Sequence, residues 1–198
     1  MPRLVIFEGA DGIGKTTQAE LLADKMEAKL LHQPSGEGLV GFIRDEVKHN
    51  PSHNMFERQL LHTASHIVDA FVEFDGTDVV MDRSPLSGLV YGGVSGQLSQ
   101  LQLWLLAHAN LNVYEAVLRQ KGYQVDLFFI QMTSSLKAEG GDVYEDTISA
   151  NVIRSGYRDL FRRNKTFFTK SDQIHHLYLT KEWSVQRVHN MVCEVLNV

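Results

Sequence analysis

The stretch Gly9-Ala10-Asp11-Gly12-Ile13-Gly14-Lys15-Thr16-Thr17 constrains this chain more than any other. It follows the apolar run Leu4–Phe7, which reads as a buried parallel strand, and it opens a helical pattern from about Lys15 to Lys29. A G-x4-G-K-[ST] loop between strand and helix is a phosphate cradle. Its glycines let successive backbone N–H groups turn inward, and the helix N-terminus adds a positive dipole. Lys15 is suited to bridge the outer phosphates, while Thr16 offers a hydroxyl to Mg²⁺. Gly9, Asp11, Gly12, Ile13, Gly14, Lys15, Thr16 and Thr17 are therefore the candidate ATP-binding residues. The loop specifies a nucleotide and leaves the reaction open.

Further short apolar runs stand at Leu30–Leu31, Asp78–Met81, Asp126–Ile130 and His176–Leu179, with helix-length segments between them. Strands alternating with helices imply βαβ units and a parallel sheet covered on both faces. Apolar residues at helical spacing predict helices over 38–49 and 56–72, and amphipathic helices over 144–163 and 183–195. Leu98–Lys121 reads as one long helix or as two, with Asn110 and Asn112 marking the break. Ser134–Asp142 is polar, carries paired glycines and follows a strand, so it is the expected moving loop. Without a linker or repeat, the 198 residues read as a single domain.

A second signal is Asp82-Arg83 at the end of the run Val79-Val80-Met81. An aspartate at the C-terminal end of a parallel strand beside a phosphate loop suits Mg²⁺, and the arginine next to it suits an anionic phosphate. Taken on spacing alone, the same pair also reads as an exposed ion pair at a strand end. His175, His176 and His189 have no matching carboxylate or thiolate cluster and are read as structural. Leu103-Trp104-Leu105-Leu106 is read as core or dimer interface. The net charge of −5 and pI near 6.0 argue against a polymeric nucleic acid partner. A single cysteine, Cys193, permits no internal disulfide and fits a reducing, cytoplasmic setting. The four-residue apolar run near the N-terminus is too short for a signal peptide core or a membrane span.

Phe7-Glu8-Gly9-x-Asp11-Gly-x-Gly-Lys15-Thr-Thr-Gln18, followed by Asp82-Arg83-x-x-x-Ser87, resembles the thymidylate kinase family. The resemblance continues through Pro34–Arg44, Leu60–His66, Val125–Leu127, Tyr144-Glu145 and Trp183–Val188, so it spans essentially the whole chain. It implies a three-layer α/β/α sandwich on a five-stranded parallel sheet of the P-loop NTPase type, with a short lid at about 134–143. It further implies transfer of the γ-phosphoryl group of ATP, with Mg²⁺, to a (deoxy)nucleoside 5′-monophosphate such as dTMP or a related pyrimidine deoxynucleotide. Lys15, Asp11, Arg83 and Lys137 become the expected catalytic residues, with Thr16 and Asp82 at the metal. Pro34, His62, His66, Arg83, Ser87, Tyr91 and Tyr144 become the expected acceptor contacts, and a homodimer is the expected assembly.

Several positions depart from the family pattern. His62 and His66 stand where the family has a base-stacking phenylalanine and a base-binding arginine, and Ser84 replaces a tyrosine near the sugar. The family's transition-state arginine, supplied by the loop or the lid, is missing: the loop carries Gly12 and Ile13, and Val143 precedes the Tyr-Glu pair. Three outcomes follow from this. Lys137 takes the role, an arginine from the next helix (Arg154, Arg158 or Arg162) reaches in, or catalysis is slow. The competing functions are a deoxynucleoside kinase and a non-catalytic ATP-binding module.

Overall fold

The five apolar runs assemble into one parallel sheet in the computed structural model, which describes residues 1–33, 35–36, 38–50, 52–132, 149–163, 173–180 and 182–198. Strand β1 (Arg3–Glu8) lies between β3 (Val79–Asp82) and β4 (Gln124–Met132). Outside these lie β2 (Lys29–His32) and β5 (Ile174–Leu179), giving the order β2-β3-β1-β4-β5 with every pairing parallel. The chain first builds from β1 toward β2 and later turns to β4. The carboxyl ends of β1 and β3 therefore flank the switch point where such sheets hold ligands.

β1 is apolar from Leu4 to Phe7 because both of its faces are covered there. Leu4 and Ile6, with Met81, Leu127 and Phe129, meet side chains from α3 (Met55–Glu73), α4 (Pro85–Val94), α6 (Tyr114–Gln120) and α7 (Ala150–Arg163). Val5 and Phe7, with Val80, Phe128 and Ile130, meet α1 (Lys15–Met26) and α8 (Val185–Leu196). This is the expected three-layer arrangement. At roughly 2 kcal/mol for each large apolar side chain removed from water, these two cores outweigh any single polar contact in holding β1 in place.

Local signals explain most helix ends. Asn54 and Glu57 form a reciprocal capping box at α3, and Ser99 with Gln102 forms another at α5 (Gln100–Ala107). The buried Arg58 guanidinium donates to the carbonyls of Val47, Asn50 and His53, satisfying groups at the exit of α2 (Gly38–His49). Leu98–Lys121 resolves as a continuous helical path rather than two helices, with a π-helical stretch at His108–Val113 between α5 and α6. Asn110 marks that stretch, donating to Leu106 O (2.9 Å) and to Thr63 Oγ1 of α3 (2.8 Å). Helix α4 is an addition to the sequence reading: PLSGLVYGGV is apolar around its circumference and has no clear period. Its readable sign is Ser84 as N-cap followed by Pro85 in the first turn. Among the described residues no helix is long and apolar enough to cross a membrane.

The exit of β1 is sterically closed. Gly9 has φ +142°, and a Cβ there would lie 2.4 Å from Ile130 O on β4 and 2.4 Å from Ile13 Cδ1. The Ile130 carbonyl is backbone within the sheet and cannot yield. Gly9→Ala is expected to lower unfolding stability by about 3 kcal/mol, combining backbone strain with overpacking. A urea midpoint unchanged from that of the parent chain would contradict this.

Candidate active site at the carboxyl ends of β1 and β3

Gly14, at φ +86°, turns the loop into α1, whose first N–H groups receive no side-chain cap. That leaves the positive end of the helix facing the loop. Lys15 is buried, and its Nζ donates to Ala10 O at 2.7 Å and lies 3.9 Å from Asp11 Oδ1. The loop is thus drawn around its own cation. Thr16 donates to Asp82 Oδ2 at 2.5 Å, joining the helix start to the end of β3. The other carboxylate oxygen, Asp82 Oδ1, is buried and has no hydrogen-bond partner among the described residues. A buried carboxylate oxygen left in this way is a vacant acceptor.

Arg83 adopts φ +75°, unusual for a residue with a side chain, while its N–H donates to Phe7 O at 3.0 Å. The turn sends its guanidinium toward the loop, where NH2 pairs with Asp11 and NH1 donates to Ser87 Oγ at 3.2 Å. The Tyr91 hydroxyl donates to the second Asp11 oxygen, and its ring lies 5.9 Å from the Arg83 guanidinium carbon. Asp11, Arg83, Ser87 and Tyr91, separated by up to 80 positions in the sequence, thereby form one polar wall beside the phosphate loop.

Glu8 lies under this wall with no exposure. Its Oε1 accepts from the Ser84 N–H (2.7 Å) and Ser84 Oγ (2.6 Å), and its Oε2 from Ser87 Oγ (2.9 Å) and the Tyr157 hydroxyl (3.0 Å). Burial pushes its pKa above the usual carboxylate range, opposed by the Ser84 hydrogen bond and the charge of Arg83. Neither Glu8 nor Tyr157 was singled out as a site residue by the sequence. A charge inside a buried strand was the available sign for Glu8, since such a group needs partners. Tyr157 has no local signal.

The two histidines of α3 expected as acceptor contacts diverge. His62 is half-buried, whereas His66 is 4% exposed and its Nδ1 meets Gln33 Oε1. The Gln33 amide donates to Asp69 Oδ2 at 2.7 Å, so its oxygen faces the histidine and ring Nδ1 carries the proton. Asp69 also accepts from Ser35 N (3.1 Å) and Ser35 Oγ (2.9 Å). His66 therefore fastens the chain after β2 to α3. Pro34, Lys137, Tyr144 and the expected lid at 134–143 lie outside the described residues. On α7, Arg154 is half-buried, Arg158 is exposed, and Arg162 lies 3.7 Å from Asp159.

The thymidylate kinase family profile matches residues 7–112, more than half of the chain. A probable thymidylate kinase of Methanocaldococcus jannaschii is 36% identical over 95 residues, 46% of this chain and 50% of that protein. A thymidylate kinase of Helicobacter pylori is 34% identical over 110 residues, 52% of this chain and 54% of that protein. The chain spans about half the length of the curated relatives it matches. The solved thymidylate kinase of Candida albicans superposes with a TM-score of 0.72 over 99% of this chain and 91% of that one, at 20% identity, a likeness of fold.

Burial holds the His66 pKa down to about 3 from 6.5, with a smaller contribution from the charge of His62. The unfolded chain takes a proton that the folded chain refuses. The stability His66 contributes is thus complete above pH 6.5 and is lost as pH falls toward 3. Between pH 7.5 and pH 5 the loss from this group is about 2 kcal/mol. Urea titrations at both pH values should show that difference shrink by this amount in His66→Asn, and equal pH dependence in the two proteins would refute the assignment.

Proposed function

The chain belongs to the thymidylate kinase family, and from that premise we propose that it transfers the γ-phosphoryl group of ATP to a nucleoside 5′-monophosphate, dTMP being the favoured acceptor. The observation carrying this reading is the shared carboxylate of Asp11, which lies in the phosphate loop and pairs with Arg83 of the facing wall. Donor and acceptor sides are thereby registered against each other before either nucleotide binds. Transfer between them needs in-line positioning and charge neutralisation more than covalent help from the protein. We read residues 1–198 as one P-loop kinase domain on this basis.

In this reading the loop amides and Lys15 hold the ATP phosphates, Lys15 exchanging Ala10 O for phosphate oxygen. Thr16 and Asp82 fit Mg²⁺: one is a hydroxyl and the other has a vacant buried carboxylate oxygen, and such sites are completed by the nucleotide's own phosphates. Bound there, Mg²⁺ would neutralise phosphate charge. Arg83 and Ser87 face the acceptor phosphate, and Tyr91 with Asp11 faces its sugar. Lys137 is the proposed lid cation, with Arg154 as its alternate on α7. His62 is retained as the acceptor contact on α3, while the position of His66 supports a role in shaping that pocket. The aspartate at position 82 disfavours a kinase for unphosphorylated nucleosides, which generally carries glutamate before the arginine. The intact Thr16–Asp82 pair disfavours a non-catalytic module.

The dimer expectation gains support from exposed apolar side chains on neighbouring helices. Leu60 and Phe71 stand on α3, and Leu101 (73% exposed), Trp104 (62%) and Leu105 stand on α5. The run 103–106 is split, with Leu106 in the core. Sedimentation should give a dimer that Trp104→Glu converts to monomer, and a monomeric parent chain would remove the proposal.

The deciding assay is ADP release from ATP and Mg²⁺ across deoxy- and ribonucleoside monophosphates, with unphosphorylated thymidine and deoxycytidine in parallel. Selective turnover of dTMP is expected. Turnover of a nucleoside alone would transfer the assignment to a deoxynucleoside kinase, and ATP binding without any turnover would transfer it to a binding module.

A further inference from the structure

Tyr157 projects from α7 into the polar cluster beneath the phosphate loop, and it is fully buried against Phe129 of β4 with ring centroids 5.8 Å apart. Its hydroxyl lies 3.0 Å from Glu8 Oε2 and 2.7 Å from Ser87 Oγ, and those two are themselves 2.9 Å apart. The three oxygens form a closed triangle. One corner, Ser87 Oγ, accepts the NH1 donor of Arg83. For that bond the serine proton must point away from Arg83, toward Glu8 or Tyr157. Serine alone has a freely rotating hydroxyl, but within the triangle its rotation is confined, and a lone pair stays aimed at the guanidinium.

Helix packing does not require this arrangement. The aromatic ring already fills the core, and a tyrosine hydroxyl placed only for packing needs a single partner. Here it meets two groups, both tied to the Asp11–Arg83 wall, from an element 149 residues away from Glu8 in sequence. We infer that Tyr157 is a positioning residue for the acceptor side, its hydroxyl acting through Glu8 and Ser87 to aim Arg83. The inference rests on the kinase reading above, and it adds α7 to the elements that build the acceptor site. Removing the hydroxyl while keeping the ring frees Ser87 to turn and leaves Glu8 Oε2 with one donor fewer. Thr16, Lys15 and the loop amides are untouched, so ATP binding is unaffected.

Steady-state kinetics with ATP, Mg²⁺ and dTMP on Tyr157→Phe tests this. The acceptor KM should rise about tenfold, the size expected for one buried hydrogen bond to a charged group, while the KM for ATP stays within about twofold. Glu8→Gln, which offers one carbonyl oxygen in place of two carboxylate oxygens, should give the same acceptor-selective loss. The double variant should be no more than about twofold worse than the weaker single variant, since both act through one path. Tyr178→Phe, on an exposed tyrosine of β5, should match the parent chain. An acceptor KM for Tyr157→Phe within twofold of the parent overturns the inference, as does a parallel rise in both KM values, which marks general loosening. Should that variant not fold, Glu8→Gln is judged by the same criteria. A parent chain that turns over no monophosphate overturns the kinase reading and this inference together, whereas turnover with an indifferent Tyr157→Phe overturns the inference alone.

Discussion

The Glu8 carboxylate is the constraint on which the site depends. A bare carboxylate inside a protein is unfavourable by several kcal/mol, and the surroundings must offset this with donors or force the group to stay neutral. The donors come from three places: the Ser84 backbone and hydroxyl at the turn after β3, the Ser87 hydroxyl on α4, and the Tyr157 hydroxyl on α7. Each is needed because each covers lone pairs that water cannot reach. Satisfying one buried group therefore fixes how the end of β1 sits against the turn after β3. The phosphate loop starts at the next residue after Glu8, so these bonds fasten the turn that carries Arg83 to the strand end from which the loop departs. The positive φ of Arg83 is held by the same arrangement, with its N–H bonded to Phe7 O and the following serine locked on Glu8.

Within that frame the charged side chains bond to groups that the phosphates of the proposed nucleotides would replace. Lys15 donates to a loop carbonyl, Thr16 to Asp82, and Arg83 to Asp11 and Ser87. These resting bonds keep cations in place at a site where several would otherwise repel, and each has the geometry of a bond that a phosphate oxygen can replace. Asp82 differs, since it keeps one buried oxygen open while the other receives Thr16. A buried acceptor oxygen held that way is unfavourable until a cation or donor arrives.

Much of the fold is legible in the sequence because its information is local. Leu4–Phe7 announces a buried strand by being apolar without alternation, apolar residues at helical spacing over 56–72 announce a helix, and the glycine loop announces the joint between strand and helix. Where the sequence leaves a choice, as at Leu98–Lys121, the decision comes from a tertiary bond, Asn110 to Thr63, with no trace in local spacing. Helix α4 is hidden for a related reason: buried on several sides, it has no polar face to reveal a period. The glycine loop and the Asp82-Arg83 pair stand out in the sequence as candidate site residues because the proposed chemistry dictates their types and order. Tyr157, Gln33 and Asp69 are not, because their importance lies in partners 33 to 149 positions away.

His66 shows how a correct spacing carries two meanings. On α3 it occupies the position at which a base contact is expected, yet its Nδ1 is turned to Gln33 and its environment keeps it neutral. The chain after β2 gains an anchor through the His66–Gln33–Asp69–Ser35 series, and the α3 wall gives up a cation. Among the described residues, Arg83 is the wall cation whose direction is set by Asp11 and Ser87. In the proposed phosphoryl transfer, where misplacement by about an ångström is costly, the groups that aim Arg83 matter as much as the charge itself.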